Sequence, residues 1–495
     1  MGRADLVRIA CRGIGGGLLT SLLLVTSLLL AEPALAQTTA QVIPPAGMPT
    51  SPATAQHSAD ILWTLMTGAL VFLMQAGFAM LEAGFTRAKN AANVMMKIIV
   101  TVSIAFCGFW FVGFGLMFGS NPSGWIGTNW FALGFDATTK LAAVPSNITL
   151  APGVDAGWPF TFFFFQAVFV AAAAAIAAGA LAERTRFLAY LIYAVVFCCL
   201  IYPIAGSWLW NGLFADWNGG TVGWLQKLGF IDFAGSTAVH SMGGWVALAG
   251  ALVVGPRTGK YSRTGQARAI PGHNLPLGML GVFLLWFGWL GFNGGSTNFA
   301  NVDAGWIILN TNLSAAGGAL GATFASWAIF SKPDMTFVGN GVLAGTVAIT
   351  APCHTVTPWA ALLIGCIAGV LALLAALTVE TVLKVDDPVG AFAVHGVCGL
   401  WGTLAAGIPW FGNPYFPARG WLQLGIQLVG ISAIFLWAFG GGLFLFLILR
   451  RTVGVRVSVE EELAGLDISE HGNITYPDFT GIPGSNASTK APLKP

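Results

Sequence analysis

Asp232-Phe-Ala-Gly-Ser-Thr-Ala-Val-His240, in one half of the chain, has a counterpart in the other half: Asp387-Pro-Val-Gly-Ala-Phe-Ala-Val-His395. In each, an aspartate precedes a histidine by eight residues, and the histidine closes an Ala-Val-His triplet. A glycine stands four residues further on (Gly244, Gly399), and a tryptophan follows (Trp245, Trp401). Both stretches open long apolar segments. An ionisable side chain inside a membrane span is costly and generally faces a bundle interior or a pathway. Two of them in matching contexts read as one site built by internal duplication.

The surrounding composition is that of a membrane protein. Of 495 residues 56% are hydrophobic and only 8% charged, against roughly a quarter charged in soluble domains. The 65 glycines suit helices that approach closely in lipid. A net charge of +2 gives no basic footprint, and no nucleic-acid partner is expected. The seven cysteines show neither a disulfide framework nor metal-ligand spacing, and they read as small apolar side chains. Neither a metal nor a cofactor is expected.

The N-terminus reads as a processing segment. Arg3, Arg8 and Arg12 precede an apolar core from Leu18 to Leu30, and Ala34-Leu35-Ala36 matches a cleavage site. The reading is a signal peptide over 1–36 cut between Ala36 and Gln37, an extracytoplasmic lead-in over 37–57, a transmembrane domain over 58–450 and a cytoplasmic tail over 451–495. Eleven segments of roughly 20 residues or more are apolar enough to span. They lie near 58–82, 94–118, 158–181, 187–209, 232–255, 274–296, 304–330, 336–352, 358–382, 388–409 and 421–449, the eighth short and interrupted by Gly339, Gly341 and Gly345.

Basic residues orient this map. One side holds Arg87, Lys89, Lys97, Arg184, Arg186, Arg257, Lys260, Arg263, Arg268, Lys332, Lys384, Arg450, Arg451 and Arg456, and the other only Lys140, Lys227 and Arg419. The positive-inside bias puts the N-terminus outside and the C-terminus inside, in a multi-pass protein of the cell (inner) membrane. Span five then starts outside and span ten inside, as in inverted five-helix repeats over spans 1–5 and 6–10. Eight helical residues carry each histidine about 12 Å inward, to the neighbourhood of the midplane of a core about 30 Å thick. The two imidazoles could meet there. The expected fold is an all-α integral membrane protein.

Facing histidines in an apolar bundle could ligate a metal or haem, relay protons, line a conduction path, or satisfy one another structurally. No carboxylate or thiolate stands at ligand spacing, so a pathway is favoured over a metal site. Asp232 and Asp387 each begin a helix, where a carboxylate satisfies free N–H groups; Lys384 is near Asp387, while Asp232 could also hold a cation at the entrance. Aromatics cluster in Phe162 to Phe165, Phe169, Trp208, Trp210, Trp286, Trp289 and Phe292. Such residues form interface belts but also bind small cations. Glu82, followed by Arg87 and Lys89, reads most simply as a local ion-pair or helix-packing element.

Leu81-Glu-Ala-Gly-Phe-Thr-Arg-Ala-Lys-Asn90, Gly179-Ala-Leu-Ala-Glu-Arg184, Asp232-Phe-Ala-Gly235, Gly288-Trp-Leu-Gly-Phe-Asn-Gly-Gly-Ser296, Val385-Asp-Asp-Pro388 and His395-Gly-Val-Cys-Gly399 together resemble the Amt/Mep/Rh ammonium transporter family. Gly465-Leu-Asp-Ile-Ser-Glu-His-Gly472 is similar to its cytoplasmic signature, and the bacterial Amt branch fits better than Rh. The resemblance implies a homotrimer with one pore per subunit, taking up ammonium or methylammonium for nitrogen assimilation, and not an enzyme. It implies Phe169 and Phe292 as a stacked gate, and Phe165 lining the outer vestibule. Trp210 and Ser296 would form the outer site with Phe169, with Asp232 below it. His240 and His395 would be the twin histidines, and Trp289 and Thr350 would pack around the path. Trp208 also stands near the vestibule position, and Pro352 and His354 depart from the family pattern. The implied mechanism recruits ammonium outside, deprotonates it, and conducts ammonia past the histidines with separate proton transfer, giving net electrogenic uptake. The alternatives are an ammonium sensor signalling through a cytoplasmic partner and an Rh-like neutral gas channel. The tail would bind a PII-type signalling protein.

Overall fold

The computed structural model describes residues 55–133, 157–412 and 420–477. The signal peptide expected over 1–36, its cleavage point, most of the lead-in, Lys140, Arg419 and the end of the tail lie outside the described residues.

Among the described residues the fold is helical throughout, with three isolated β-bridges and no strand. Nine helices among the described residues are long and apolar enough to cross a membrane. They are α1 (Ala55–Phe85), α2 (Ala88–Phe118), α3 (Trp158–Ala180), α4 (Phe187–Asn218), α5 (Ser236–Val254), α6 (Leu275–Thr297), α7 (Asp303–Phe330), α9 (Pro358–Thr381) and α11 (Trp421–Arg451). The eighth and tenth expected segments form shorter apolar helices, α8 (Met335–Ile349) and α10 (Phe392–Ala405). With 15 residues, α8 extends only about 22 Å. Its end at Ile349 and the non-helical lead into α10 are what the neighbouring site needs.

Glycine sets the helix spacing at particular crossings. A Cβ added at Gly318 would lie 2.1 Å from the Gly341 carbonyl oxygen, and one at Gly369 would lie 2.1 Å from that of Gly318. Thus α7, α8 and α9 meet backbone to backbone, the small-residue packing expected where water does not drive association. α1 and α6 run antiparallel in equally close contact: Gly291 meets Thr67 and Leu70, while Gly84 meets Asn274 and Gly278. The segments bearing the two histidines cross in the same sense. Gly244 abuts the backbone of Gly396, and Gly399 that of Ser236.

The arginine-rich end is tied together by buried charge. Arg257 donates to Asp386 through its backbone N–H and Nε, both at 2.8 Å, and through Nη2 at 3.0 Å. Its Nη1 reaches Glu183 at 2.9 Å, and Arg87 pairs with Glu183 from another loop. Arg184 donates to the carbonyls of Ala182, Gly255 and Asp386. Burial alone opposes ionisation of Asp386, but Arg257 and Arg184 together hold its carboxyl well below the usual range. Lys97, grouped with the basic flanks by sequence, is fully buried inside α2. Lys384 does not pair with Asp387; its Nζ lies 5.8 Å from the Tyr261 ring centre.

The tail packs onto this end through two short helices, α12 (Val459–Ala464) and α13 (Leu466–His471). Ser458 and Glu461 form a capping box on α12. Asp467 accepts from the backbone N–H groups of Ala92 and Asn93, and Lys89 Nζ donates to the Glu462 and Leu463 carbonyls. The Glu462 carboxylate takes the Thr258 N–H at 2.6 Å, the Thr258 hydroxyl at 2.9 Å and Arg456 at 2.7 Å. Burial resists its ionisation, yet the Thr258 N–H and Arg456 bring its carboxyl below the ordinary value. A depressed carboxylate contributes stability above its unfolded pKa and loses it as pH falls through the folded one. Tail docking is therefore full at neutral pH and weakens in acid. Hydrogen bonds to a charged group are each worth about 1.5–3 kcal/mol. Glu462→Gln should accordingly speed limited proteolysis of the tail at pH 7 by about ten-fold or more, read by the appearance of fragments truncated after residue 451.

Candidate functional site

Both histidines ride on π-helical turns at the start of their helices: Ser236–Ser241 opens α5, and Phe392–Val397 opens α10. Such turns recur at functional sites because they re-aim one residue out of the helical register. The cause is local and shared. Three residues after each aspartate stands a glycine at positive φ, Gly235 at +114° and Gly390 at +80°, where other side chains are strained. A Cβ on Gly235 would also lie 2.7 Å from Val239 and 3.0 Å from Trp210.

The aspartates cap these turns. Asp232 accepts from the N–H groups of Gly235 (3.1 Å), Thr237 (3.0 Å) and Ala238 (2.7 Å). Asp387 accepts from Ala391 (3.0 Å) and Phe392 (2.8 Å). Each therefore satisfies the donors that a helix start leaves free. Both carboxylate oxygens of Asp232 are engaged by the backbone and the residue is buried. Its geometry is that of an anchor, the same as Asp387, rather than of an open cation-holding group.

The histidines meet. His395 Nδ1 and His240 Nδ1 are 3.2 Å apart, with the rings roughly parallel and 5.2 Å between centres. At that distance one Nδ1 donates and the other accepts, so the pair shares a single N–H between the two rings. Both residues are buried, and His240 Nε2 has no protein hydrogen-bond partner. Among the described residues no cluster of three His, Cys, Asp or Glu could hold a metal.

Aromatic rings continue the line. Trp289 stacks on His240 at 5.0 Å and Phe292 at 5.4 Å. Phe292 stacks on Phe169 at 4.0 Å with 26° between planes, and Phe169 lies 4.8 Å from Phe165. Trp210 meets Phe169 edge-on at 6.2 Å and donates its indole N–H to the Asp232 carbonyl. On the far side of the pair, Phe78 lies 6.3 Å from His395. The result is one column: Phe165, Phe169 flanked by Trp210, Phe292, His240, His395, Phe78.

Trp208 belongs elsewhere, packed against Trp125, Trp224 and Trp437. Thr350, at the end of α8, accepts the Trp289 indole N–H at 2.9 Å and fixes that ring. The adjoining residues Thr350 and Ala351 pair with Ala234 and Phe233, so the end of α8 braces the start of the Asp232 turn. Ser296 follows Gly295, which sits against Phe165, and its hydroxyl donates to the Phe292 carbonyl. His354 stacks on Phe233 at 4.3 Å beside the Asp232 turn. The expected neighbours are thus brought together, with Trp208 apart.

Glu82 does not form the local ion pair that its neighbours suggest. Arg87 goes to Glu183 and Lys89 to the tail. Phe78 and Gly390 are not singled out by sequence, and Gly235 only as the end of a motif; the offset of each glycine from its aspartate is the available signal.

The model of the Ammonium Transporter Family matches residues 62–476. Ammonium transporter Amt2 of Archaeoglobus fulgidus is 44% identical over 445 residues, covering 85% of this chain and 88% of that protein. A putative ammonium transporter of Synechocystis is also 44% identical, over 421 residues, covering 84% and 73%. Among solved structures, one titled "Sensor Amt Protein" superposes with a TM-score of 0.77 at 42% identity, covering 84% of this chain and 99% of that one. Mep2 of Saccharomyces cerevisiae gives 0.70 at 28% identity, covering 82% and 89%. By the extent of the family match and the identity to these relatives, this chain belongs to the ammonium transporter family.

Proposed function

We propose that this multi-pass membrane protein, a transporter and not an enzyme, takes up ammonium by stripping its proton and passing ammonia through the ring column. The observation that carries this is the column itself, closed by stacked phenylalanines and holding, next to Phe78, two buried imidazoles hydrogen-bonded to each other. The physical problem is potassium, a cation of nearly ammonium's size. Cation–π contacts attract both, and a bare ion in an apolar passage is penalised whichever it is. Ammonium alone can shed a proton and become neutral.

In this reading ammonium collects among Phe165, Phe169, Trp210 and Ser296 on the outer side. Asp232 acts at one remove, shaping the turn and holding Trp210 through its carbonyl. Phe169 and Phe292 must swing apart to admit ammonia. The proton follows the histidines: it adds at His240 Nε2, the shared Nδ1 hydrogen shifts to His395, and His395 releases its Nε2 hydrogen on the far side. Each ring ends neutral with its hydrogen on the other nitrogen, and both rings must return to the starting tautomer before the next proton; one charge and one ammonia then cross per completed cycle.

The wider architecture belongs to the same proposal. Eleven spans, with α8 and α10 crossing as shorter helices beside neighbours, put the arginine-rich end and tail in the cytoplasm. The antiparallel crossings of α1 with α6 and of the histidine segments support inverted repeats over spans 1–5 and 6–10. A homotrimer, and a PII-type partner at the cytoplasmic face, extend the family likeness.

A second reading is favoured by one finding, the likeness to the structure titled as a sensor. A sensor would bind ammonium without sustained flux. Purified protein in liposomes on a solid-supported membrane separates the two. Ammonium and methylammonium pulses should evoke currents that potassium does not. Saturable ammonium binding with no current beyond the binding transient would replace transport by sensing.

A further inference from the structure

Glu82 and Lys97 are 2% and 0% exposed, and both lie within helices long enough to span. Charges so placed are expensive unless paired and hydrogen-bonded. Yet Glu82 Oε2 and Lys97 Nζ each lack a protein hydrogen-bond partner. Each is close enough to bear on the other's charge, and Lys97 Nζ lies 5.4 Å from the centre of the Tyr190 ring. An ionisable residue kept in such a place is a functional candidate by default.

Its position relative to the column gives it a task. Glu82 is four residues beyond Phe78 on α1, so it shares Phe78's face about 6 Å further along. Phe78 is the ring next to His395. A Cβ on Gly179 would lie 3.4 Å from Glu82 Oε1 and 2.3 Å from Val389, which sets the carboxyl beside the chain leading into His395. Lys97 lies beyond, one turn from Asn93, whose amide meets His471 of the tail at 2.9 Å. Polar groups thus continue from the histidine pair to the arginine-rich end, away from the ring column.

We propose that Glu82 receives the proton leaving His395, with Lys97 as the positioning charge that returns it to the ionised form; this rests on the relay described above. The Nε2–H bond of the His395 imidazolium breaks, the proton passes through intervening water, and an O–H bond forms on Glu82. That bond then breaks, the proton goes to cytoplasmic water, and the Glu82 carboxylate is restored. Ammonia takes no part in these steps.

Glu82→Gln keeps the shape and removes the acceptor. In full-length protein reconstituted in liposomes, the maximal ammonium current should fall about a hundred-fold or more, the low end for loss of a positioned acid–base group. The half-saturating ammonium concentration should stay unchanged, and Glu82→Asp should recover part of the current. The double variant Glu82→Gln/Lys97→Met separates relay from packing. Neutralising both members of a buried pair is often harmless to stability, so wild-type melting with lost current supports the relay. Wild-type current in either the Gln or the double variant overturns it. A wild-type protein that itself gives no ammonium current fails at the prior step, transport, and takes this proposal with it.

Discussion

Replacing His240 and His395 together by leucine is expected to remove the proton-coupled ammonium current, by about a hundred-fold or more, while leaving a folded protein. The two imidazoles hydrogen-bond each other, and replacing both partners of a buried hydrogen bond by apolar groups of similar shape is nearly neutral for stability. Function has no such compensation. Leucine cannot accept a proton at the place of His240 Nε2 or hand one on from His395, and positioned acid–base groups are worth 10²–10⁴-fold. Discrimination should go with the relay: whatever current remains should be carried by potassium as readily as by ammonium. Selective ammonium current at full strength in this variant, measured on a solid-supported membrane, would show that the proton does not travel through the pair.

Arg257→Met is expected to have the largest effect on stability. Arg257 forks onto both oxygens of Asp386 and reaches Glu183, joining three loops at the arginine-rich end. Removing one partner of a buried pair costs about 3–5 kcal/mol, because the other is left charged in a dry site. Arg184 cannot substitute, since its donors are committed to backbone carbonyls. Lysine should rescue poorly, lacking the planar fork. The pH dependence gives a check. In the wild type the Asp386 carboxyl is held low, so its contribution persists through mild acid and is lost only in strong acid. In the variant, protonation relieves an unpaired carboxylate. The melting gap between the two proteins should therefore narrow as pH falls from 7 toward 4, the sign required when the variant's native state takes up the extra proton. A gap independent of pH would place the damage elsewhere.

How much of this was legible beforehand depends on the type of signal. The paired Asp-x7-His stretches carried the meeting of the histidines, because eight residues of helix have a fixed length and two such stretches entering from opposite ends must converge. The aromatic neighbours came from family likeness, and packing separated Trp210 from Trp208. The aspartates illustrate the limit. Read as residues, both aspartates begin helices and suit a cap, and Asp232 could also hold a cation at the entrance; that the capped turns are π-helical is revealed only by the backbone around Gly235 and Gly390. Lys97 looked like a flanking charge because sequence cannot tell a loop lysine from one sealed between helices. Glu82 was assigned to its chain neighbours, whereas Arg87 and Lys89 reach partners about 100 and 370 residues away. Side-chain partners at that separation are set by tertiary packing, and no local pattern records them.

Separation of ammonia from its proton is tested most directly by the stoichiometry of charge to nitrogen. Uptake of nitrogen and displacement of charge should be measured together in the same liposomes, with ammonium on the outside and the membrane potential clamped. One elementary charge should move per nitrogen taken up, with no current when potassium replaces ammonium. Nitrogen uptake without charge would mean a gas channel, and an equal potassium current would mean an ordinary cation pore; either result contradicts the separation of ammonia from its proton.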